Sequence, residues 1–504
     1  MLNPTRWGPD ALAAIDLGSN SFRLEVARLR SGDYKTLAYW KEPIRLGAGL
    51  DANQDLTEAA MARALECLRR FGAELRGFAP ERLRAVSTQT LREARNRDAF
   101  LVRAQEALGF PIEVISGREE ARLIYAGVAR LHESQRPRLV IDIGGRSTEI
   151  ILGQGHQALK VESFQIGSVG LSVRFFADGR LTAEAFRAAQ IAAAAELEEA
   201  VQLFARPHCQ PAWLEVLGSS GTVGAVSQIL EESGQTDGRI TQDGLRWCIQ
   251  ACIQAGQVAT LKLPGLREER RNVVAGGLAI LYTLMVMFDI DAIEPARGAL
   301  RQGLVFDMAE RLRVHPQGLG DDPRAGAVLD VQRRFGVDTA QALRVRELAR
   351  HLHQTLAPRA AREQRLELGW TADLHEIGQQ VSHHDHHRHS HYLISHLDLA
   401  GFSQNQLRRM GLLVLGQRGG LRKLEAELRE DSLLWQVLAL RLALLCCHGR
   451  ETPVRPPLKL KRREREITLT LDPAWVRAHP QTEYLLQQEL LQWNKSGLLQ
   501  LQSA

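Results

Sequence analysis

The 504-residue chain reads as an α/β protein of two related lobes, followed by an all-α region and a small C-terminal α+β segment. Three observations point there. One stretch occurs twice: Ile15-Asp16-Leu17-Gly18 aligns with Ile141-Asp142-Ile143-Gly144, Ser21 with Ser147 and Leu24 with Ile150. Around both copies, short apolar runs alternate with helix-length amphipathic stretches, as in α/β folds. From about residue 309 the character changes, and only helical patterns remain from Ala325 to about His448. Two copies so far apart mean two related domains rather than a solenoid.

Residues Leu12 to Ile15 form an apolar strand, Gly18, Ser19, Asn20 and Ser21 a polar turn, and Phe22, Leu24 and Val26 a return strand. Gly18 lets the backbone turn tightly and approach a ligand. The N–H groups and small hydroxyls of such a turn suit an anion, phosphate above all. Asp16, at the strand end, is placed to hold a cation or a water. Strands follow near Thr36 to Tyr39 and at Ile44 to Gly47, and then a helix over 57–78, with Thr57 as its cap and a stripe of Met61, Ala64, Leu65, Leu68 and Phe71. Leu83 to Ser87 is a strand leading through Thr88 to Arg92 into a helix, and Ile112 to Ile115 is another strand.

Ser116 and Glu119 form an S-x-x-E capping box at the start of the next helix. Glu120 has no such job and points about 100° around the helix. It is either a solvated first-turn Glu, favoured by the helix dipole, or a free carboxylate facing the cleft between the lobes. The second copy of the hairpin follows, with Gly144, Gly145, Arg146 and Ser147 in its turn. A helix runs over 182–204. Leu214 to Leu217 is a strand, and Gly218, Ser219, Ser220, Gly221 and Thr222 lead into a helix, a third loop of phosphate-binding type. Helices over 269–288 and 298–313 complete the second lobe.

His315 to Pro323 reads as a linker. Half of the 16 histidines lie between His375 and His396. Such a cluster can bind metal or form a polar loop between helices, and the second reading is favoured. Arg455 to Arg465 is basic, a solvated face or a surface for polyanions, and Ile467 to Leu471 is a strand. The expected boundaries are 1–125 and 126–308 for the lobes, 309–450 for the helical domain and 451–504 for the terminal segment.

Hydrophobic residues at 44% and charged ones at 24% are ordinary for a folded protein. A net charge of +5 is too small at this length to argue for nucleic acid. The six cysteines form no Cys-x-x-Cys pair and fit reduced, buried thiols of a cytoplasmic protein. Met1 to Ala11 lacks the apolar core of a signal peptide. The longest apolar run, 276–288, is too short to span a bilayer.

Taken together, Ile15-Asp-Leu-Gly-Ser-Asn-Ser-Phe22, Ser116-Gly-x-Glu-Glu-Ala-Arg-Leu-Ile124, Ile141-Asp-Ile-Gly-Gly145 and Gly218-x-Ser-Gly-Thr222 resemble the exopolyphosphatase / guanosine pentaphosphate phosphohydrolase (Ppx/GppA) family. Leu263-Pro-Gly-Leu, Gly298-Ala-Leu-Arg, Leu374-His-Glu-Ile-Gly and His389-Ser-x-Tyr-Leu extend the resemblance over essentially the whole chain. It implies two actin-like (ribonuclease-H-like) lobes, a helical HD-like domain and magnesium-dependent removal of terminal phosphates from inorganic polyphosphate or pppGpp. It also implies a cytoplasmic homodimer, with peripheral attachment to the inner membrane left open. Carried over by position, Glu120 is the general base. Asp16, Asp142 and Glu149 are the acids around metal and water. Gly18 to Ser21, Arg92, Gly144 to Ser147 and Gly218 to Thr222 bind phosphate.

Three positions depart from the family pattern: Arg23, Arg146 and the run Arg297-Gly-Ala-Leu-Arg301-Gln302. The stretch from Arg388 and the basic tail lean the reading toward an exopolyphosphatase. A pppGpp phosphohydrolase, a non-catalytic polyphosphate sensor (kept open by Arg146 and Arg297), a kinase-like or chaperone-like ATPase and an HD-type metal phosphohydrolase are the competing readings. Arg146, aligned with Asn20, is expected to turn its guanidinium toward the cleft as an extra phosphate ligand.

Overall fold

A computed structural model describes residues 6–30, 33–313, 322–451 and 458–503. The chain divides into two compact units, 1–321 and 322–504. Most of the sequence-expected linker, 315–321, and the stretch 452–457 with Arg455 lie outside the described residues.

The first unit holds both lobes. In the first, strands β1 (Ala11–Leu17), β2 (Phe22–Arg30), β3 (Asp33–Glu42), β4 (Leu83–Ser87) and β5 (Ile112–Val114) form a sheet in the order β3-β2-β1-β4-β5. Helices α1 (Glu58–Glu74), α2 (Gln89–Glu93), α3 (Arg97–Leu108) and α4 (Gly117–Leu131) join them. In the second, β6 (Pro137–Ile143), β7 (Thr148–Gln154), β8 (Gln157–Phe164), β9 (Glu215–Ser219), β10 (Ile240–Thr241) and β11 (Ala292–Pro295) are ordered β10-β11-β9-β6-β7-β8. Its helices are α5 (Ser168–Phe175), α6 (Ala183–Phe204), α7 (Ser220–Glu232), α8 (Gln242–Ala255), α9 (Val274–Met287) and α10 (Leu300–Arg313). The centres of the two sheets are the same. β1 runs antiparallel to β2 and parallel to β4, and β6 runs antiparallel to β7 and parallel to β9. Register repeats as well, Ile15 opposite Leu24 and Ile141 opposite Ile150.

The two-residue period of a strand decides which side chains meet between the lobes. Ile15, Leu17, Leu24 and Val26 face the core of the first lobe, and Ile141, Ile143, Ile150 and Leu152 that of the second. The alternate residues Leu12, Ala14, Ala27, Val140 and Ile151 face a shared layer filled by α4 and α10. Asp16, Glu25, Asp142 and Glu149 have the parity of that shared layer. Within it α4 and α10 approach backbone to backbone: a Cβ on Gly303 would stand 1.8 Å from the Leu123 carbonyl oxygen, and one on Gly127 2.3 Å from that of Ala299.

Local differences from the sequence reading have local causes. Ile44 to Gly47 is not a strand. Arg45 takes φ 54° and a 3-10 turn follows over Leu46–Gly49. The Arg45 and Gly47 N–H groups donate to the carbonyls of Asn20 and Ser19, so the segment braces the first polar turn instead of joining the sheet. Thr57 stands at the N-cap of α1 without a side-chain bond, whereas Thr182 does cap α6. The apolar helix α9 begins at Val274, because Glu268–Arg270 forms its own 3-10 turn.

The second unit is helical from α11 (Pro323–Arg334) through α12 (Thr339–Leu356), α13 (Arg362–Asp373), α14 (His386–His396) and α15 (Gln404–Gly416) to α16 (Asp431–Cys446). Strands β12 (Leu458–Arg463), β13 (Glu466–Leu471) and β14 (Gln500–Ser503) with α17 (Pro473–Ala478) and α18 (Pro480–Ser496) close it. Its core joins both parts: Leu434, Val437 and Leu438 belong with Ile467, Leu469 and Trp493. In the histidine-rich stretch His383 and His384 are exposed, while His375, His386 and His387 are buried. Of the basic tail, Arg462 lies 3.8 Å over the Trp435 ring and Arg465 pairs with Asp431.

Candidate active site

The two polar turns and the start of α7 converge on a cleft of about 100 Å³. Asp16, Gly18, Ser19, Asn20 and Ser21 line it from the first lobe, and Asp142, Gly144, Gly145, Ser147, Ser220, Gly221 and Thr222 from the second. Glu120 enters from α4, with Thr88, Ser168, Arg23 and Arg270 around it. Each turn is held by its own loop. The second is closed by the Gly144 N–H donating to the Ser147 carbonyl (2.9 Å) and braced by the N–H groups of Ser168 and Val169, which donate to the carbonyls of Gly144 and Gly145. Ser220 opens α7 at φ 92°, a left-handed conformation that costs a non-glycine residue about 1–3 kcal/mol and that folds keep mainly at functional loops.

Glu120 is 8% exposed and so is not a solvated first-turn residue. Burial pushes its carboxyl up to about 7; Arg92 pulls it back, and Asp16 and Asp142 push it further up. Arg92 Nη1 donates to Glu120 Oε2 at 2.8 Å and to the Ile115 carbonyl at 3.1 Å, and its Nε donates to Gln89. Arg92 Nη2 is buried with no hydrogen-bond partner. The neighbouring Glu119 has a different fate. Its N–H donates to the Ser116 hydroxyl, and its carboxylate accepts two bonds from Arg122, at 2.7 and 2.8 Å. Arg122 also reaches Asp307 of α10, which Arg84 and Arg311 flank and which their charges hold far below the usual carboxylate range. This buried network fixes α4 and leaves Glu120 for the cleft.

The remaining acids differ between lobes. Asp16 Oδ2 lies 3.5 Å from Arg23 Nη1, its cross-strand partner. Asp142 has Glu149 as cross-strand partner. Burial raises Asp142 to about 6, with Asp16 adding to it and the Ser219 hydroxyl and Arg23 opposing. Glu149 stands behind the lining, bonded by the Ser163 hydroxyl at 2.8 Å, and is raised by burial and then by Glu120 and Asp142. Among the described residues no three His, Cys, Asp or Glu side chains form a ready metal cage.

Several expected phosphate positions serve as framework. Gly218 packs against Val223, the Ser219 hydroxyl donates to the Gly298 carbonyl at 3.0 Å, and the Thr222 hydroxyl donates to that of Ile143 at 2.9 Å. Arg146 does not turn into the cleft. It is absent from the residues with positive φ, and its guanidinium bonds Glu93 at 2.6–2.8 Å across the lobes. A carboxylate within reach outcompeted the cleft for the guanidinium.

Sequence reasoning missed a second cavity, of about 420 Å³, which meets the cleft at Ser220, Gly221, Arg23, Arg270 and Ala299. Its lining includes Arg23, Lys41, Arg267, Arg270, Arg297 and Arg301, with the ring of Tyr39. Its acid, Glu269, is tied to Lys41 at 2.6 Å. Arg270 is pulled below the usual guanidinium range by burial and by the charge of Arg23. These cations come from separate segments of the chain, so no local motif announces them.

A profile of the Ppx/GppA phosphatase family matches residues 25–312, and one of the same family's domain III matches residues 324–490. A guanosine-5'-triphosphate,3'-diphosphate pyrophosphatase of Photobacterium profundum is 37% identical over 493 residues, covering 96% of each chain. Among solved structures, an exopolyphosphatase-like protein is 25% identical with a TM-score of 0.54, over 60% of this chain and 99% of the other. An exopolyphosphatase from Cytophaga hutchinsonii is 24% identical with a TM-score of 0.52, over 59% and 97%. The chain belongs to the Ppx/GppA phosphatase family, and its two lobes have the actin-like fold of these structures. The lean toward exopolyphosphatase is not supported, since the curated relative matched over nearly the full length carries the other activity in its name. No helix among the described residues is long and apolar enough to cross a membrane.

Proposed function

We propose that this protein removes the terminal 5'-phosphate of pppGpp, giving ppGpp and inorganic phosphate. The observation that favours this over polyphosphate is the cationic cavity joined to the phosphate cleft. A linear polyphosphate would also be drawn by these cations, but its single file of phosphates does not need the width of this cavity. A nucleotide with a second, 3'-diphosphate arm needs a wide, strongly positive space beside it, and Arg–phosphate pairs are the strong, directional way to hold such an arm. The 37% identical relative named for this reaction points the same way.

In this reading the terminal phosphate lies between the two polar turns, whose backbone N–H groups and hydroxyls meet its oxygens. Arg92 offers the Nη2 that has no bond of its own. Glu120 takes the proton of the attacking water; its carboxyl, poised near 7 by burial, matches the working pH of a general base. Arg92 steadies the ionised form. Charge neutralisation by fixed cations and dipoles supplies most of the remaining rate in phosphoryl transfer.

Magnesium fits this donor set. Asp16 and Asp142 are hard oxygen donors that line the same cleft, and burial, with the charge of Asp16 adding to it, leaves Asp142 short of a compensating cation. Magnesium characteristically takes one or two carboxylates and completes its shell with water and substrate phosphate. When bound there it would neutralise phosphate charge.

The test is parallel phosphate release from pppGpp, tripolyphosphate, long-chain polyphosphate and ATP. The expected result is the highest kcat/KM on pppGpp. A higher kcat/KM on polyphosphate of any length would overturn the proposal in favour of an exopolyphosphatase.

A further inference from the structure

Glu25 is a buried carboxylate with no role in the chemistry above. It sits on β2, its side chain 3% exposed, on the face of the sheet that looks into the shared layer. Four donors converge on it. The Tyr34 hydroxyl (2.6 Å) and the Thr36 hydroxyl (3.0 Å) donate to Oε1, while Arg301 Nε (3.2 Å) and Gln302 Nε2 (2.8 Å) donate to Oε2. The amide of Gln302 is oriented by its other end, because the Ala299 N–H donates to its Oε1 at 3.1 Å. A glutamate at 302 would therefore face the Glu25 carboxylate directly.

The consequence falls on Arg301. With Nε held by Glu25 and the guanidinium 5.1 Å over the Tyr39 ring, its Nη1 is left with no hydrogen bond, 4.0 Å from Asp16 Oδ2. Arg301 thus lines the cationic cavity while reaching toward the acid at the floor of the phosphate cleft. A buried guanidinium with one edge clamped and the other unbonded is set to take an anion.

We propose that Arg301 grips the substrate's phosphate chain where the cleft opens into the cavity, and that Glu25, with Gln302, is the positioning residue that aims it. The proposal rests on the two-part site described above.

The experiment is steady-state kinetics on pppGpp and tripolyphosphate for the parent, Arg301→Ala, Glu25→Gln, Arg301→Ala/Glu25→Gln and Gln302→Ala. Glu25→Gln should raise KM about tenfold with kcat within about threefold, as expected when an interaction made equally in ground and transition states is lost. In the Arg301→Ala background the same change should alter KM less than about twofold, since Glu25 acts through Arg301. Gln302→Ala keeps the Glu25 carboxylate and its bond from Arg301 Nε but removes one of the four donors, so its KM should rise about threefold, less than in Glu25→Gln. Additive effects of Arg301→Ala and Glu25→Gln would overturn the proposal. If Glu25→Gln does not fold, Gln302→Ala decides, and a KM equal to the parent's would overturn it. The substrate ratio of the parent reports separately on pppGpp preference: tripolyphosphate favoured by the parent defeats that reading while leaving the Glu25–Arg301 coupling measurable.

Discussion

The two polar turns share register, length and topology, yet they surround their acids differently. In the first lobe Asp16 is paired across the strands with Arg23, which also lines the cationic cavity. In the second, Asp142 is paired with Glu149, and both acids are driven up by burial and by their neighbours. One copy of the hairpin therefore sets a cation opposite its strand-end aspartate, and the other sets a second carboxylate there. On the proposed reading, the residue opposite each strand-end aspartate divides a duplicated scaffold into a half that meets substrate charge and a half that tunes Glu120.

This division makes separable predictions. The largest effect should come from Glu120→Gln, with phosphate release lower by about 10²–10⁴-fold, the usual contribution of a positioned base. Nucleotide binding measured by calorimetry should survive. Activity equal to the parent would end the assignment.

The half that tunes Glu120 should also set the pH profile. Glu120 must be ionised to act, and its carboxyl is raised to about 7. So kcat/KM should fall about tenfold per pH unit below 7 and level above it. Glu149 is itself raised, by burial and then by the charge of Glu120, so its neutral isostere in Glu149→Gln should leave the acidic limb nearly where it is. A limb that moves by more than about one pH unit would break the comparison.

In the half that meets substrate charge, Arg23→Ala should raise KM for pppGpp about tenfold, the scale of one charge-assisted hydrogen bond, and raise it less for tripolyphosphate. Equal changes on both substrates would place Arg23 at the shared phosphate and not in the cavity. The smallest effect belongs to Arg146→Gly. The pair with Glu93 is partly exposed, so its loss should cost about 0.2–1 kcal/mol, read as a small drop in Tm. KM should stay within about threefold, and a rise of about tenfold would return Arg146 to the phosphate site.

How far the sequence foretold this depends on the range of the interaction. The duplicated hairpin, the alternation of strand and helix and the helical second unit were legible because each is written in local pattern. The separate fates of Glu119 and Glu120 were half legible: the capping position of Glu119 shows in four residues, but its partner Arg122 is held by Asp307, 185 residues away. Arg146 was misread because Glu93, which captures it, lies 53 residues back and no local rule connects them. Glu25 and Gln302 stand 277 apart, so only the folded chain brings the amide to the carboxylate. The cationic cavity stayed hidden for the same reason.

In the proposed reaction, water held by Glu120 attacks the terminal phosphorus of the 5'-triphosphate of pppGpp. Hydrolysis in ¹⁸O-labelled water, followed by ³¹P NMR of the products, tests it most directly. The expected result is one labelled oxygen in inorganic phosphate and none in the guanosine product, with the signal lost in Glu120→Gln. Label in the guanosine product, or release of pyrophosphate in place of phosphate, would contradict the account.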